Sequence, residues 1–250
     1  MTKRIVIVML TLIMMFCLVP MSAFAADKTV ISVADKTEFE EAIAQINKDP
    51  GDYTIELTND IQISGAVIQS PCKATILGNG HTLTLDRYGY ISVNEGAELT
   101  LGAKDGNKLN ISSVNGASND TPGMLCVQGT CNMYSGVTLS GREGNNYFGG
   151  GVTVSGGTFH MYGGTIEKCG IRGGSVCYGG GVAVVYGGQF IMDSGIIKDC
   201  YAESDYIDYF DPHMCFTAMG GGVFVSGGSS FVMNSGSISN NRSPDRKSGS

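Results

Sequence analysis

Apolar and polar residues alternate with a period of two over most of the chain beyond residue 52. Residues 152–154 and 159–161 are examples, and glycine pairs separate such runs. Alternation of this kind is typical of β-strands that bury one face. We therefore expect two or three short strands in each repeating unit. The pairs Gly156-Gly157, Gly163-Gly164 and Gly187-Gly188 should supply bends with positive φ at the corners.

The alternating pattern is also repeated along the chain. Residues 149–169, 179–200 and 220–241 align almost without gaps, and residues 123–141 form a degenerate copy. Their apolar residues match in columns: Val152/Val182/Val223, Val154/Val184/Val225, Phe159/Phe190/Phe231, Met133/Met161/Met192/Met233 and Ile166/Ile197/Ile238. Stacked copies can bury a face that one short unit cannot, with equivalent strands paired in parallel roughly 4.8 Å apart. The pattern favours an all-β parallel β-helix over an antiparallel sandwich or barrel, which does not need repeated residue identity.

Residues 26–52 are predicted to form an N-terminal segment with a capping α-helix. Thr37 and Glu40 have capping-box spacing, and apolar residues follow at helical spacing: Phe39, Ala42, Ile43 and Ile46. Such a helix can cover the first coil of a solenoid. The β-helix is then expected to span residues 53–250. We expect it to be part of a longer protein, because the last repeat has no comparable cover.

Residues 1–25 are predicted to be a secretory signal peptide. Lys3 and Arg4 precede an apolar run over residues 5–19, and small residues follow near Ala25. A membrane anchor is the alternative, but the run is shorter than the about 20 residues that a spanning helix needs. We therefore expect a secreted, extracellular protein, either free or associated with the cell wall.

The net charge of the chain limits its possible partners. Cleavage removes two basic residues from a chain with 16 Lys and Arg and 23 Asp and Glu, which leaves a net charge of −9 and argues against nucleic acid as a partner.

Seven of the eight cysteines remain after cleavage, an odd number that cannot pair completely within one chain. Cys169 and Cys200 share a column, which we align with Gly141 before them and Asn241 after them. Either a disulfide or two stacked free thiols would fit this spacing.

The most unusual segment is the insertion at residues 201–217, which we interpret as a loop on one face of the solenoid. It combines aromatic rings, which can pack on a sugar or on a partner, with carboxylates, which can bind Ca²⁺. The alternative is that the rings pack over the outside of the solenoid. The candidate ligand-binding residues are Tyr201, Glu203, Asp205, Tyr206, Asp208, Tyr209, Phe210, Asp211 and His213.

No catalytic residues are assigned. Asp193 and Asn234 share a column with Tyr134 and Tyr162, and Glu167, Lys198 and Ser239 share another, so no carboxylates stack on adjacent coils. The acid pair that glycoside cleavage requires is therefore not visible. His160 should point to solvent, as should Thr153 and Lys168. Other polar residues are interpreted as structural, namely His81, Asp86, Arg87 and Asp105.

The segment GNGHTLTL at residues 78–85, the N-terminal helix and the patterns GGGVxV, GGxFxM and SGxI resemble a known group of proteins. These are the secreted right-handed β-helix proteins of Gram-positive, often gut-dwelling, bacteria, which have the pectin-lyase-like fold. The repeat style is also similar to that of polymorphic outer-membrane adhesins. The resemblance implies a right-handed solenoid that continues into further coils or wall-attachment modules.

The fold carries lyases, hydrolases and adhesins alike, so the resemblance does not decide the activity. We expect a non-catalytic, adhesin-like module that binds a polysaccharide or a host ligand. The alternative is a polysaccharide lyase or glycoside hydrolase that acts on acidic polysaccharide. An anionic substrate would be repelled by the acidic surface unless Ca²⁺ bridged the two.

Overall fold

The computed structural model describes residues 28–114, 122–144, 148–172, 176–204 and 217–243. Within these ranges the chain forms one α-helix and many short strands, all paired in parallel and arranged in three long sheets and two small ones. The signal peptide predicted at residues 1–25 lies outside the described residues. None of the helical structure in the described part is long and apolar enough to cross a membrane.

The three long sheets are the walls of a parallel β-helix, as predicted. Wall A consists of β1 (Thr29–Val33), β2 (Asp52–Leu57), β5 (Lys73–Leu77), β8 (Glu98–Leu101), β11 (Thr130–Met133), β15 (Thr158–Met161), β20 (Gln189–Met192) and β25 (Ser230–Met233). Wall B consists of β3 (Ile61–Ile63), β6 (Thr82–Leu85), β9 (Leu109–Ser113), β12 (Val137–Ser140), β16 (Thr165–Glu167), β21 (Ile196–Lys198) and β26 (Ser237–Ser239). Wall C consists of β4 (Ala66–Ile68), β7 (Ile91–Val93), β10 (Leu125–Val127), β14 (Val152–Ser155), β19 (Val182–Val185) and β24 (Val223–Val225). From β4 onward, each coil passes through walls C, A and B in turn.

The apolar columns predicted from the repeats are confirmed by the strand register. Phe159 pairs with Phe190 and then with Phe231, and the valine, methionine and isoleucine columns pair in the same way. In the middle coils these side chains are completely buried in one continuous core. The alternation therefore fixes which face of each strand points inward.

The outward positions follow the prediction only in part. His160 is half-buried and Lys168 is exposed, but Thr153 is only 4% exposed, so its predicted exposure is wrong. Its hydroxyl donates to the backbone oxygen of Phe148 at 3.2 Å. Residues 148 and 149, which precede β14, therefore lie against Thr153, and the period of two says nothing about such a contact.

The two residues of a glycine pair at a corner are glycine for different reasons. Gly156, Gly164 and Gly187 have positive φ, as predicted. Gly157 is instead needed for a close approach, because a Cβ there would stand 2.4 Å from the backbone oxygen of Gly129.

Helix α1 (Lys36–Lys48) covers the first coil and packs against β1, β2, β3 and β4. It buries the four predicted residues, Phe39, Ala42, Ile43 and Ile46. The predicted capping box is wrong by two residues. Asp35 is the N-cap and accepts from the backbone N–H of Glu38, whose side chain accepts in return from Ala34. Asp35 can therefore stabilise the free N–H groups of the first turn, which Thr37, inside the helix, cannot.

The two small sheets form what we call the flank, between walls B and C. The first sheet contains β13 (Glu143–Gly144), β17 (Gly170–Arg172) and β22 (Tyr201–Glu203), and the second contains β18 (Val176–Tyr178) and β23 (Thr217–Met219). The flank has a small core of its own, made of Ile171, Cys177, Ala202 and Ala218. Both ends of the insertion predicted as a loop are therefore strands.

Candidate functional site

The predicted binding residues divide into two groups. Tyr201 and Glu203 lie on β22, where the structure describes them. The other seven lie outside the described residues: Asp205, Tyr206, Asp208, Tyr209, Phe210, Asp211 and His213. In sequence, residues 205–216 connect β22 of one flank sheet to β23 of the other.

Tyr201 is held against the flank by its backbone and its ring. The strand containing it pairs with β17, where Tyr201 stands opposite Gly170. A Cβ at Gly170 would lie 2.3 Å from the Tyr201 ring, so this ring position requires glycine. The guanidinium carbons of Arg242 and Arg172 lie 5.0 and 5.9 Å from the ring centroid. Burial, together with a hydrogen bond to Glu143, raises the pKa of Tyr201. The phenol is thus neutral and fixed in position.

Glu203 is bound by two arginines on neighbouring coils. Arg172 donates from Nε to Oε2 at 3.0 Å, and Arg242 donates from Nε to Oε1 at 2.9 Å. Burial by itself would raise the pKa of Glu203, but the two guanidinium groups outweigh it and the net shift is downward. The carboxylate is therefore ionised at neutral pH and holds both arginines in fixed positions.

Aromatic side chains form a row at the junction of the flank with wall C. The ring of Tyr178 stacks on Phe224, with centroids 4.3 Å apart, and on Phe148, with centroids 5.7 Å apart. Tyr186 meets Phe148 edge-on at 5.9 Å and is 72% exposed. We call Phe148, Tyr178, Tyr186 and Phe224 the aromatic row. It offers apolar surface across successive coils.

One pair of polar side chains was missed by the sequence analysis. His160 on β15 and Asp193, which follows β20, join through Nε2 and Oδ2 at 2.7 Å. Asn234 donates to the other oxygen of Asp193 at 2.7 Å. His160 stands opposite Ile191, and Asp193 is two residues further on the same face. The column alignment combined with this offset could have identified the pair.

On the coil before Cys169, the column that contains Cys169 and Cys200 holds Arg142, and its predicted alignment with Gly141 is wrong. Ser140 pairs with Glu167, which places Gly141 opposite Lys168 and Arg142 opposite Cys169. Gly141 belongs instead to a column of residues with positive φ, the others being Lys168, Asp199 and Asn240. Arg142 is completely buried and donates from Nη1 to the backbone oxygen of Gly89 at 2.9 Å.

The cysteines in the described ranges are buried thiols, namely Cys72, Cys126, Cys131, Cys169, Cys177 and Cys200. Of the two predicted alternatives for Cys169 and Cys200, the structure contains the stacked free thiols. A hydrogen bond with Cys200 and burial both raise the pKa of Cys169, which is the state of an unreactive core thiol.

Neither metal ligands in the described ranges nor known relatives identify the site. Within those ranges, no three His, Cys, Asp or Glu side chains gather so that they could hold a metal ion. Most of the acids that suggested Ca²⁺ lie outside them. Comparison with protein-family models, with curated proteins and with solved structures found no match. The resemblance to secreted β-helix proteins therefore stays a prediction.

Proposed function

We propose that this chain is a secreted or cell-surface β-helix module that binds a polysaccharide or a host-surface ligand through its flank, without catalysing a reaction. The observation that supports this most directly is the flank itself. Two small sheets with their own buried core stand outside the three walls, and the predicted recognition segment at residues 201–217 runs in sequence from a strand of one to a strand of the other. A solenoid does not need such an addition for its stability, whereas long insertions often carry binding residues.

The side chains on the flank are arranged before any ligand arrives. Tyr201 and Glu203 are fixed by Arg172 and Arg242, and the aromatic row is held by ring contacts on successive coils. Fixed groups lose less conformational entropy on binding than mobile ones do. Aromatic rings beside charged groups suit a ligand that has both apolar and polar surface, as a sugar chain does.

The charge states of Glu203 and Asp193 argue against a role for either of them as a general acid. A general acid works best when its pKa lies near the operating pH. The pKa of Glu203 is instead lowered by its two arginines, and that of Asp193 is lowered by hydrogen bonds from Asn234 and His160. Both carboxylates therefore lack the raised pKa that a glycosidase acid requires.

The test replaces residues 205–216 with a Gly/Ser segment of equal length, which leaves β22 and β23 in place. Wild type and variant are compared on a glycan array and on host cells, with Ca²⁺ and with EDTA. We expect the variant to lose binding while its circular dichroism and melting temperature stay the same. A control variant carries K104S and D105S in an exposed turn outside the flank and should bind like wild type. Equal binding by the flank variant would contradict the proposal.

Secretion is part of the same proposal and is supported by the residue pattern at positions 1–25. Intact-mass measurement of the protein in the culture medium should give a mature N-terminus close to Ala26. A secreted product that retains Met1 would contradict this expectation.

A second candidate function is cleavage of acidic polysaccharide by a lyase or hydrolase, and the His160–Asp193 pair favours it. A carboxylate that orients an imidazole is a common arrangement for a general base. The protein should be incubated with acidic polysaccharides while unsaturated products and reducing ends are followed. Activity that H160Q abolishes would replace the binding proposal with this one.

A further inference from the structure

A cavity of about 340 Å³ lies between helix α1 and β4, at the opposite end of wall C from the last described coil. Its lining includes Ile43 of the helix and Gly65, Ala66 and Val67 along the strand. Val67 is 38% exposed, so solvent reaches this side of the strand. The cavity is therefore open space beside a strand and not a void within the core.

One edge of β4 faces this cavity. β4 is the end strand of wall C and pairs with β7 on one side only. The N–H of Ala66 donates to the backbone oxygen of Tyr90, which precedes β7, at 3.0 Å. Backbone groups of successive residues point to opposite edges of a strand. The N–H and C=O groups of Gly65 and Val67 therefore face the other edge, toward helix α1.

Asn47 of helix α1 shows how this edge of β4 binds an amide group. Its Nδ2 donates to the backbone oxygen of Val67 at 2.7 Å, and its Oδ1 accepts from the N–H of Gln69 at 3.0 Å. One residue of a parallel neighbouring strand would supply the same donor and acceptor. The Asn47 side chain thus takes the place of one strand residue at this end of the wall.

The preceding position on the same edge is not filled. The oxygen of Gly65 and the N–H of Val67 repeat the pair of groups that Asn47 binds, and no hydrogen bond among the described residues uses them. Both residues line the cavity. We call these two backbone groups, with the cavity beside them, the edge slot. An unpaired strand edge of this kind is a template for pairing with another chain.

We propose that the edge slot binds one residue of an extended peptide from a partner protein, running parallel to β4. The N–H of that residue donates to the oxygen of Gly65, and its C=O accepts from the N–H of Val67. Its side chain points to the same side as that of Ala66, where Ile43 limits the space, so a small apolar residue fits best. The slot is separate from the flank and goes beyond the function proposed there.

A peptide titration followed by nuclear magnetic resonance tests the edge slot. The valines of the full chain are labelled with ¹⁵N, and the Val67 amide signal is assigned by its loss in V67T. The probes are four peptides, acetyl-Ser-Thr-X-Thr-Ser-amide, in which X is Gly, Ala, Val or Leu. We expect the peptide with Ala or Val to shift the Val67 signal with saturation, because this N–H gains an acceptor. N-methylation of the central residue removes the donor to Gly65 and should weaken binding about tenfold or more.

Two variants at one position separate the backbone from the side chain. V67P removes the N–H that the edge slot needs, and proline is tolerated in an edge strand whose N–H faces away from the sheet. We expect V67P to weaken binding of a fluorescent peptide about tenfold or more. V67T keeps the N–H and a β-branched side chain, so it should bind like wild type. The N-methylated peptide makes the same test on wild-type protein if V67P fails to fold.

The contrary outcomes are distinct from those of the flank experiment. The proposal is overturned if none of the four peptides shifts the Val67 signal, or if the N-methylated peptide binds as tightly as its parent. Shifts confined to Val223 and Val225 would overturn it as well, because they would place the peptide on β24 at the other end of wall C. A Val67 signal that moves with protein concentration in the absence of peptide would mean that a second copy of the chain fills the slot, and would also overturn the proposal. The Gly/Ser variant of residues 205–216 should retain peptide binding.

Discussion

At the scale of one residue, the F190A variant tests whether the phenylalanine column points into the core. The ring of Phe190 is completely buried between Phe159, at 5.3 Å, and Phe231, at 4.8 Å. F190A removes the ring and leaves a cavity, so we expect the free energy of unfolding to fall by about 3–5 kcal/mol. Urea unfolding measures it. Y88A, at an exposed site, should change the value by less than about 0.5 kcal/mol. A cost near zero for F190A would reject the inward register.

Glu203 predicts a dependence of stability on pH. Its pKa in the folded protein is lowered from the usual value of 4.5, so the folded state favours the ionised form. The stabilisation is present above pH 4.5 and is lost as the pH falls through the lower, folded-state pKa. Because both arginines are about half exposed, we expect E203Q to cost only about 1 kcal/mol at pH 7.

The measurement for Glu203 is the unfolding free energy of wild type and E203Q from pH 7 down to pH 3. The difference between them should shrink over the acid part of this range. E41Q changes an exposed glutamate on α1 and should show no such trend. A difference that stays constant with pH would mean that Glu203 does not act through its charge.

Residue identity predicted the core well and the outer surface poorly. Columns such as Phe159/Phe190/Phe231 repeat because each member meets the same residue type on the next coil. Arg142 could not be placed, because its column contains arginine, two cysteines and an asparagine, and sequence similarity cannot fix that register. The His160–Asp193 pair needed the register between coils together with the direction of both side chains. The sequence named Tyr201 and Glu203 as candidates, but it did not predict the two arginines that hold them.

At the scale of elements, the glycine triplets decide how the flank joins the solenoid. Residues 149–151, 179–181 and 220–222 lie in the same position on successive coils, between the flank and wall C. A Cβ at Gly180 would stand 2.1 Å from the backbone oxygen of Tyr201 and 2.5 Å from that of Gly221. Neither backbone group can turn aside as a flexible side chain could. The triplets thus allow three segments of chain to meet closely.

This close packing predicts that two Gly→Ala changes affect the free energy of unfolding differently. G180A should lower the free energy of unfolding by about 1–3 kcal/mol or more, because overpacking forces the backbone to move. G227A is the matched control, since a Cβ there meets nothing within 4 Å and the residue has no positive φ. It should be neutral or stabilise by up to about 1 kcal/mol. Thermal and urea unfolding measure both. Equal stability of the two variants would contradict the packing at the triplet.

The flank is also the element that the sequence predicted least well. The strands β22 and β23 have three residues each, too few for alternation to stand out. Wall strands of similar length were predicted because their pattern recurs on several coils. The flank strands lie where the repeats differ in length and residue identity. Their pairing depends on the solenoid bringing those segments together, which local sequence does not show.

At the scale of the whole molecule, burial falls from the middle coils to the last described coil. Val184, Met192 and Ile197 are completely buried, whereas their partners Val225, Met233 and Ile238 are 39%, 42% and 38% exposed. In a solenoid, each coil is stabilised mainly by contacts with its immediate neighbours. The strands β24, β25 and β26 are at the ends of their sheets and pair on one side only within the described structure.

Hydrogen exchange should follow this gradient in burial. We expect the slowest amide exchange in β14–β16 and β19–β21, and faster exchange in β24–β26, because strands with fewer buried contacts open locally at lower free energy. Mass spectrometry of peptides from the three coils measures it. F231A should accelerate exchange mainly in β24–β26, whereas F190A should accelerate it in the coils on both sides.

The contrary outcome would be that β24–β26 are protected as well as β19–β21. In that case another polypeptide segment covers this end of the described solenoid in solution. Repeating the exchange at several protein concentrations then distinguishes a second copy from a segment of the same chain, because only protection by a second copy rises with concentration.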